Sequence, residues 1–120
     1  WGQYRHAAAN QTSGGRVSFR MLRDQVIAAL RNAAPGLARE FGVASLSLFG
    51  SVARGEERAS SDVDILVSFE PTARVTLVTL SRLRDTLETL LGRPVDIVED
   101  HPRLRPSLRR GIEQDRLRVA

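Results

Sequence analysis

Residues 62–69 read Asp-Val-Asp-Ile-Leu-Val-Ser-Phe, a run with the apolar content of a core strand and two carboxylates set into it. With a two-residue period, Val63, Ile65, Val67 and Phe69 share one face, and Asp62, Asp64, Leu66 and Ser68 share the other. Both carboxylates then point the same way, roughly 7 Å apart at Cα for a strand rising 3.4 Å per residue. Carboxylates in such a place are costly unless something compensates them.

The flanking patterns alternate between helical and strand periods. From Met21 to Phe41, apolar Leu22, Val26, Leu30, Ala33, Leu37 and Phe41 recur at three- and four-residue steps, giving one helix, or two if Pro35-Gly36 interrupts. Val43–Phe49 alternates as a strand and stops at Gly50-Ser51. Val52–Gly55 has room for a single helical turn opened by Ser51 as its cap, and polar Glu56–Ser61 forms a loop. Pro71 closes the acidic strand. Leu80, Leu83, Leu87 and Leu90 mark a helix that Gly92 and Pro94 end near Leu91. Val95–Val98 is a third strand. Arg103 to about Gln114 forms a last helix with Leu104, Leu108 and Ile112 inward, followed by an edge strand at Leu117–Val119. This alternation predicts an α/β fold, a small mixed sheet flanked by helices. Residues 1–20 show no period and read as a flexible leader or non-native extension, with the domain at 21–120.

Composition narrows the chemistry. At 120 residues, 42% hydrophobic, the chain suits one compact domain. It has no apolar stretch of the roughly 20 residues a membrane helix needs, so no membrane contact and a cytoplasmic location are expected. Cysteine is absent, histidine is limited to His6 and His101, and all 18 basic residues are arginine. Thiol nucleophiles, thiolate metal sites, a lysine phosphate loop and a lysine-linked nucleotide are therefore excluded. A net charge of +4 permits a phosphate-bearing partner. The arginines at 103, 105, 109, 110, 116 and 118 are interrupted by Glu113 and Asp115, and aromatics are only 5% of the chain, so specific nucleic-acid binding is not expected.

Asp62, Asp64 and a third strand-embedded carboxylate, Asp96, are the candidate metal ligands. Like charges at this spacing raise one another's pKa, and a divalent cation removes the conflict. Oxygen ligands without sulfur or imidazole favour Mg²⁺, with Mn²⁺ as the alternative. Magnesium commonly accompanies phosphate. Gly50-Ser51, at a strand-to-helix turn, offers a phosphate cradle in which glycine admits close backbone approach and serine supplies a hydroxyl.

Gly50-Ser51, ten residues, then Asp62-x-Asp64, inside the wording GSVARGEERASSDVDILV, resembles the DNA polymerase β-like nucleotidyltransferase superfamily. Within it the likeness is to the minimal nucleotidyltransferase (MNT) antitoxins paired with HEPN toxins, and it runs over about Met21–Val119. VDIV around Asp96 sits where that family's third carboxylate is expected. The resemblance implies a polymerase β-like fold in which Asp62 and Asp64 bridge two Mg²⁺ ions, Asp96 holds one of them, and Gly50 and Ser51 grip the triphosphate. Arg54 and Arg58 lie in the hinge, and Arg54 is the one expected to reach the nucleotide. The implied reaction is AMP transfer from ATP to a hydroxyl, a tyrosine by family analogy, of a partner HEPN toxin. The alternative is a non-catalytic antitoxin that neutralises its partner by binding and occlusion.

Overall fold

A computed structural model of the chain describes residues 19–56 and 62–120, with side chains from residue 23 onward. The leader through residue 18, the Leu22 side chain and Arg58 lie outside the described residues. Helix α1 spans Phe19–Phe41, starting two residues before the expected boundary. Its stripe holds, with Val26, Leu30, Leu37 and Phe41 buried. Pro35 lies inside one continuous helix, although it removes one intrahelical donor. Gly42 at φ 76° then turns the chain, its N–H donating to the Ala38 carbonyl at 3.0 Å.

Strands β1 (Val43–Phe49), β2 (Val63–Phe69), β3 (Val95–Glu99) and β4 (Leu117–Arg118) form one sheet in the order β3-β2-β1-β4. β1 pairs antiparallel with β2 and with β4, while β2 and β3 run parallel, so the sheet is mixed as expected. The alternation read for β1 breaks at its start. Val43 pairs with Phe69 but Ser45 pairs with Ser68, leaving Ala44 as an extra, exposed residue. This bulge turns Val43 onto the same buried side as Leu46 and Leu48.

One side of the sheet carries the core, in which Leu46, Leu48, Val63, Ile65 and Val67 join Leu30 of α1 and Leu83 and Leu87 of helix α3, Leu77–Leu91. Leu87 is fully buried there. Leu87→Ala should lower the unfolding free energy by about 2–5 kcal/mol, read from a urea titration at unchanged m-value.

Helix α3 starts ahead of its leucine stripe because its cap sets the boundary. The Thr76 side chain accepts from the Thr79 N–H at 3.2 Å, and Thr79 accepts in return from the Thr76 N–H at 3.1 Å. The first turn therefore contains Leu77 and Val78 with no core beneath them, 84% and 65% exposed. Helix α4 spans Pro106–Asp115, beginning later than the sequence predicts because Pro106 occupies its first position. Of the three residues expected inward, only Ile112 is buried; Leu108 is 43% exposed and Leu104 precedes the helix. Beside β1, the buried Ser47 hydroxyl accepts from Arg116 Nε at 3.2 Å.

Candidate active site

Strand β1 ends in a short helix, α2 (Gly50–Arg54), whose cap position is Phe49. The expectation that Ser51 caps this turn is corrected: Ser51 is its second residue, because Gly50 already has helical pairing. Gly50 has φ 76°, a conformation that L side chains resist. The space is closed as well. A Cβ added to Gly50 would fall on Asp64 Oδ2 and lie 3.1 Å from Asp64 Cγ, so the bend and the carboxylate are in contact.

The ladder brings the remaining pieces level. Phe49 pairs with Asp64 across β1 and β2, and Asp64 pairs with Asp96 across β2 and β3. The end of β1 and two of the three carboxylates therefore occupy successive strands at one height, with neighbouring strands about 4.8 Å apart. In a parallel pair, partners in register project to the same side. Asp62 behaves differently from its sequence assignment. The strand begins at Val63, and Asp62 is an exposed residue just ahead of it, so its direction is not fixed by the pleat. Among the described residues, no three acidic or imidazole side chains stand close enough to enclose an ion as they are.

Asp64 is the electrostatic centre of this arrangement. Partial burial pushes its pKa above the ordinary carboxylate value, the charges of Asp96 and Asp62 add to the rise, and Arg54 opposes it. A half-buried carboxylate facing two like charges fits a hard divalent cation, which would offset the burial and both repulsions at once.

Arg54 makes two short ion pairs, Nε to Glu56 Oε1 and Nη1 to Asp115 Oδ2, each 2.6 Å. These raise its pKa further and tie the turn to the end of α4. The residue expected to face the nucleotide is thus engaged with protein carboxylates. Asp115 was not singled out by sequence reasoning, and a partner 61 positions away leaves no local signal. His101 is a loop residue whose Nδ1 accepts from the Arg103 N–H at 3.0 Å.

A family model described as a nucleotidyltransferase domain matches residues 30–119, which contain Gly50, Ser51 and all three aspartates. The chain belongs to the nucleotidyltransferase family. Its relatives place it among the MNT-type enzymes. It is 43% identical over 82 residues to the protein adenylyltransferase MntA of Thermococcus cleftensis, covering 68% of this chain and 76% of the relative. A solved structure provisionally named a minimal nucleotidyltransferase superposes at TM-score 0.61 with 39% identity, covering 83% of this nucleotidyltransferase and 94% of the other chain. The fold is shared also with an MNT antitoxin structure, solved in complex with a tri-AMPylated HEPN toxin of Shewanella oneidensis. There the TM-score is 0.52 at 19% identity, covering 85% of this chain and 71% of that one.

Proposed function

We propose that this nucleotidyltransferase moves AMP from ATP onto a hydroxyl of a HEPN-type partner protein, a tyrosine by family analogy, and so acts as an antitoxin. The observation that carries the reading is the in-register pair Asp64 and Asp96 beside the Gly50 bend. Support for the acceptor class comes from the adenylyltransferase name of the Thermococcus relative.

In this reading Asp64 and Asp96, joined by Asp62 once its exposed side chain swings in, hold Mg²⁺. The metal, when bound, supplies positive charge to the phosphate oxygens and the attacking oxygen. Gly50 lets the backbone approach the triphosphate without a side chain between them, and the Ser51 hydroxyl donates to a phosphate oxygen. The acceptor oxygen attacks the α-phosphorus in line. The new P–O bond forms as the bond to pyrophosphate breaks, and Asp96 takes the hydroxyl proton.

Incubating the purified chain with α-labelled ATP, Mg²⁺ and a HEPN-family protein encoded beside its gene tests this. Label on the partner is the expected result, and tight binding without label would overturn the enzymatic reading in favour of an antitoxin that acts by occlusion. The pairing of Arg54 with Glu56 and Asp115 is the observation on the side of occlusion, since those contacts compete with phosphate. Comparing Arg54→Ala with Asp115→Ala separates its two roles. A guanidinium that leaves Asp115 for the triphosphate predicts a raised KM for ATP in Arg54→Ala and an unchanged or lower one in Asp115→Ala.

A further inference from the structure

Helix α2 has five residues, too few to hold its shape through its own hydrogen bonds. Burial of Val52 and Ala53 anchors it to the core. At its end the chain turns back through Gly55, whose φ of 74° brings the next peptides onto the turn. The Gly55 N–H donates to the Val52 carbonyl at 3.0 Å, and the Glu56 N–H to the Ser51 carbonyl at 2.9 Å. Neither bond reaches the Ala53 carbonyl.

That carbonyl is held from another element. Arg23, near the start of α1, donates from Nη1 to the Ala53 carbonyl at 3.2 Å, across 30 positions of sequence. Among the described residues no other donor bonds it. The Nε of Arg23 is buried and has no partner among the described residues. A buried donor left unpaired costs stability and offsets what the Ala53 bond contributes, so the contact does little for folding.

The second side-chain link to the turn lies outside. Arg54, 45% exposed, pairs with Glu56 and Asp115, and exposed pairs of this kind add little. When Arg54 moves to the triphosphate, as in the reading above, that link opens and Arg23 is left as the side-chain tie. At the front of α2, about 7.5 Å away along a five-residue helix, Gly50 abuts Asp64 with no room for a methyl between them. A displaced turn therefore changes the spacing between the Gly50-Ser51 main chain and the carboxylate.

We infer that Arg23 is a positioning residue for the nucleotide: by holding the Ala53 carbonyl from α1, it keeps Gly50 and Ser51 where they grip the triphosphate. This rests on the transfer reading and adds the residue that fixes its phosphate turn from behind. Arg23 touches no substrate and acts through α2. A loosened turn weakens ATP in the ground state and the transition state alike, which raises KM and spares kcat.

Helix α1 supplies a matched control. Eight residues further on, Arg31 Nε donates to the Val119 carbonyl at 3.0 Å, the same kind of bond made to the segment beside Leu46 instead of the turn.

The test uses the full chain with Arg23→Ala, Arg23→Lys and Arg31→Ala. Calorimetry gives the Kd for ATP with Mg²⁺ in the absence of any partner, and labelling of the HEPN-family protein gives KM for ATP and kcat. Arg23→Ala should raise Kd and KM about tenfold while kcat stays within about threefold of wild type. Arg23→Lys, which keeps a donor, should recover most of the affinity, and Arg31→Ala should match wild type. An unchanged Kd in Arg23→Ala overturns the inference. So does an equal rise in Arg31→Ala, which would make the effect a general loosening of α1, or failure of Arg23→Ala to fold where Arg31→Ala folds, which would make Arg23 a structural residue. A wild-type chain that binds ATP and labels no partner sinks the transfer reading, and the ratio of Kd values still decides on Arg23. A wild-type chain that binds no ATP sinks both.

Discussion

Asp64→Asn will abolish AMP transfer and, in metal-free buffer at neutral pH, will raise the melting temperature. The substitution keeps volume and removes charge. The catalytic loss is expected at about 10³-fold or more, because metal and triphosphate charge would no longer be balanced at the centre of the site. The stability gain follows from the direction of the Asp64 shift. Burial and the neighbouring Asp96 and Asp62 favour its protonated form in the folded chain. That contribution is fully present below the ordinary carboxylate range and is lost as pH rises through the raised value. Wild type without metal should therefore lose stability on going from mildly acidic to neutral pH, and Asp64→Asn should show a flatter profile. Mg²⁺ should raise the wild-type melting temperature and have little effect on the variant. Scanning calorimetry at several pH values, with Mg²⁺ and with chelator, checks each part. Unaltered transfer by Asp64→Asn would remove this residue from the mechanism.

Gly50→Ala is expected to cost both fold and activity. An alanine at φ 76° carries a left-handed penalty of about 1–2 kcal/mol, and the new methyl would collide with the Asp64 carboxylate. Overpacking of this kind adds about 1–3 kcal/mol unless Asp64 rotates away. Rotation would spare the fold and displace the central carboxylate, so transfer should fall about 100-fold even where the protein stays folded, given the sensitivity of positioned groups to 1 Å errors. Circular dichroism melts and labelled-ATP assays on the same preparation read both effects. Gly36→Ala is the matched control, since a Cβ there meets nothing within 4 Å.

The parts of this fold legible in the sequence are those governed by local rules. Strand periodicity located β2, the Gly50-Ser51 bend located the turn, and the leucine stripe located the body of α3. The start of α3, expected near residue 75, falls at Leu77, where a threonine capping pair rather than an apolar residue sets it. The face of β1 was half misread because a bulge at Ala44 resets the alternation, and a bulge depends on the partner strand. Within the candidate site, the lateral pairing of Asp64 with Asp96 depends on a parallel register that no single segment encodes. The bond from Arg54 to Asp115 is likewise a product of tertiary packing. Asp62 was legible as an acid two positions from Asp64, yet its place outside the strand was not, since the strand boundary is set by the Val63 N–H bonding to Pro94.

Because Asp64 and Asp96 are neighbours through main-chain pairing, their spacing belongs to the backbone of β2 and β3 and is insensitive to which side chains surround them. Exchanging exposed residues of the first turn of α3, such as Leu77 and Val78, should thus leave the two acids at the same separation. Drift in the surrounding surface then leaves the distance between the acids where hydrogen bonding between strands has set it.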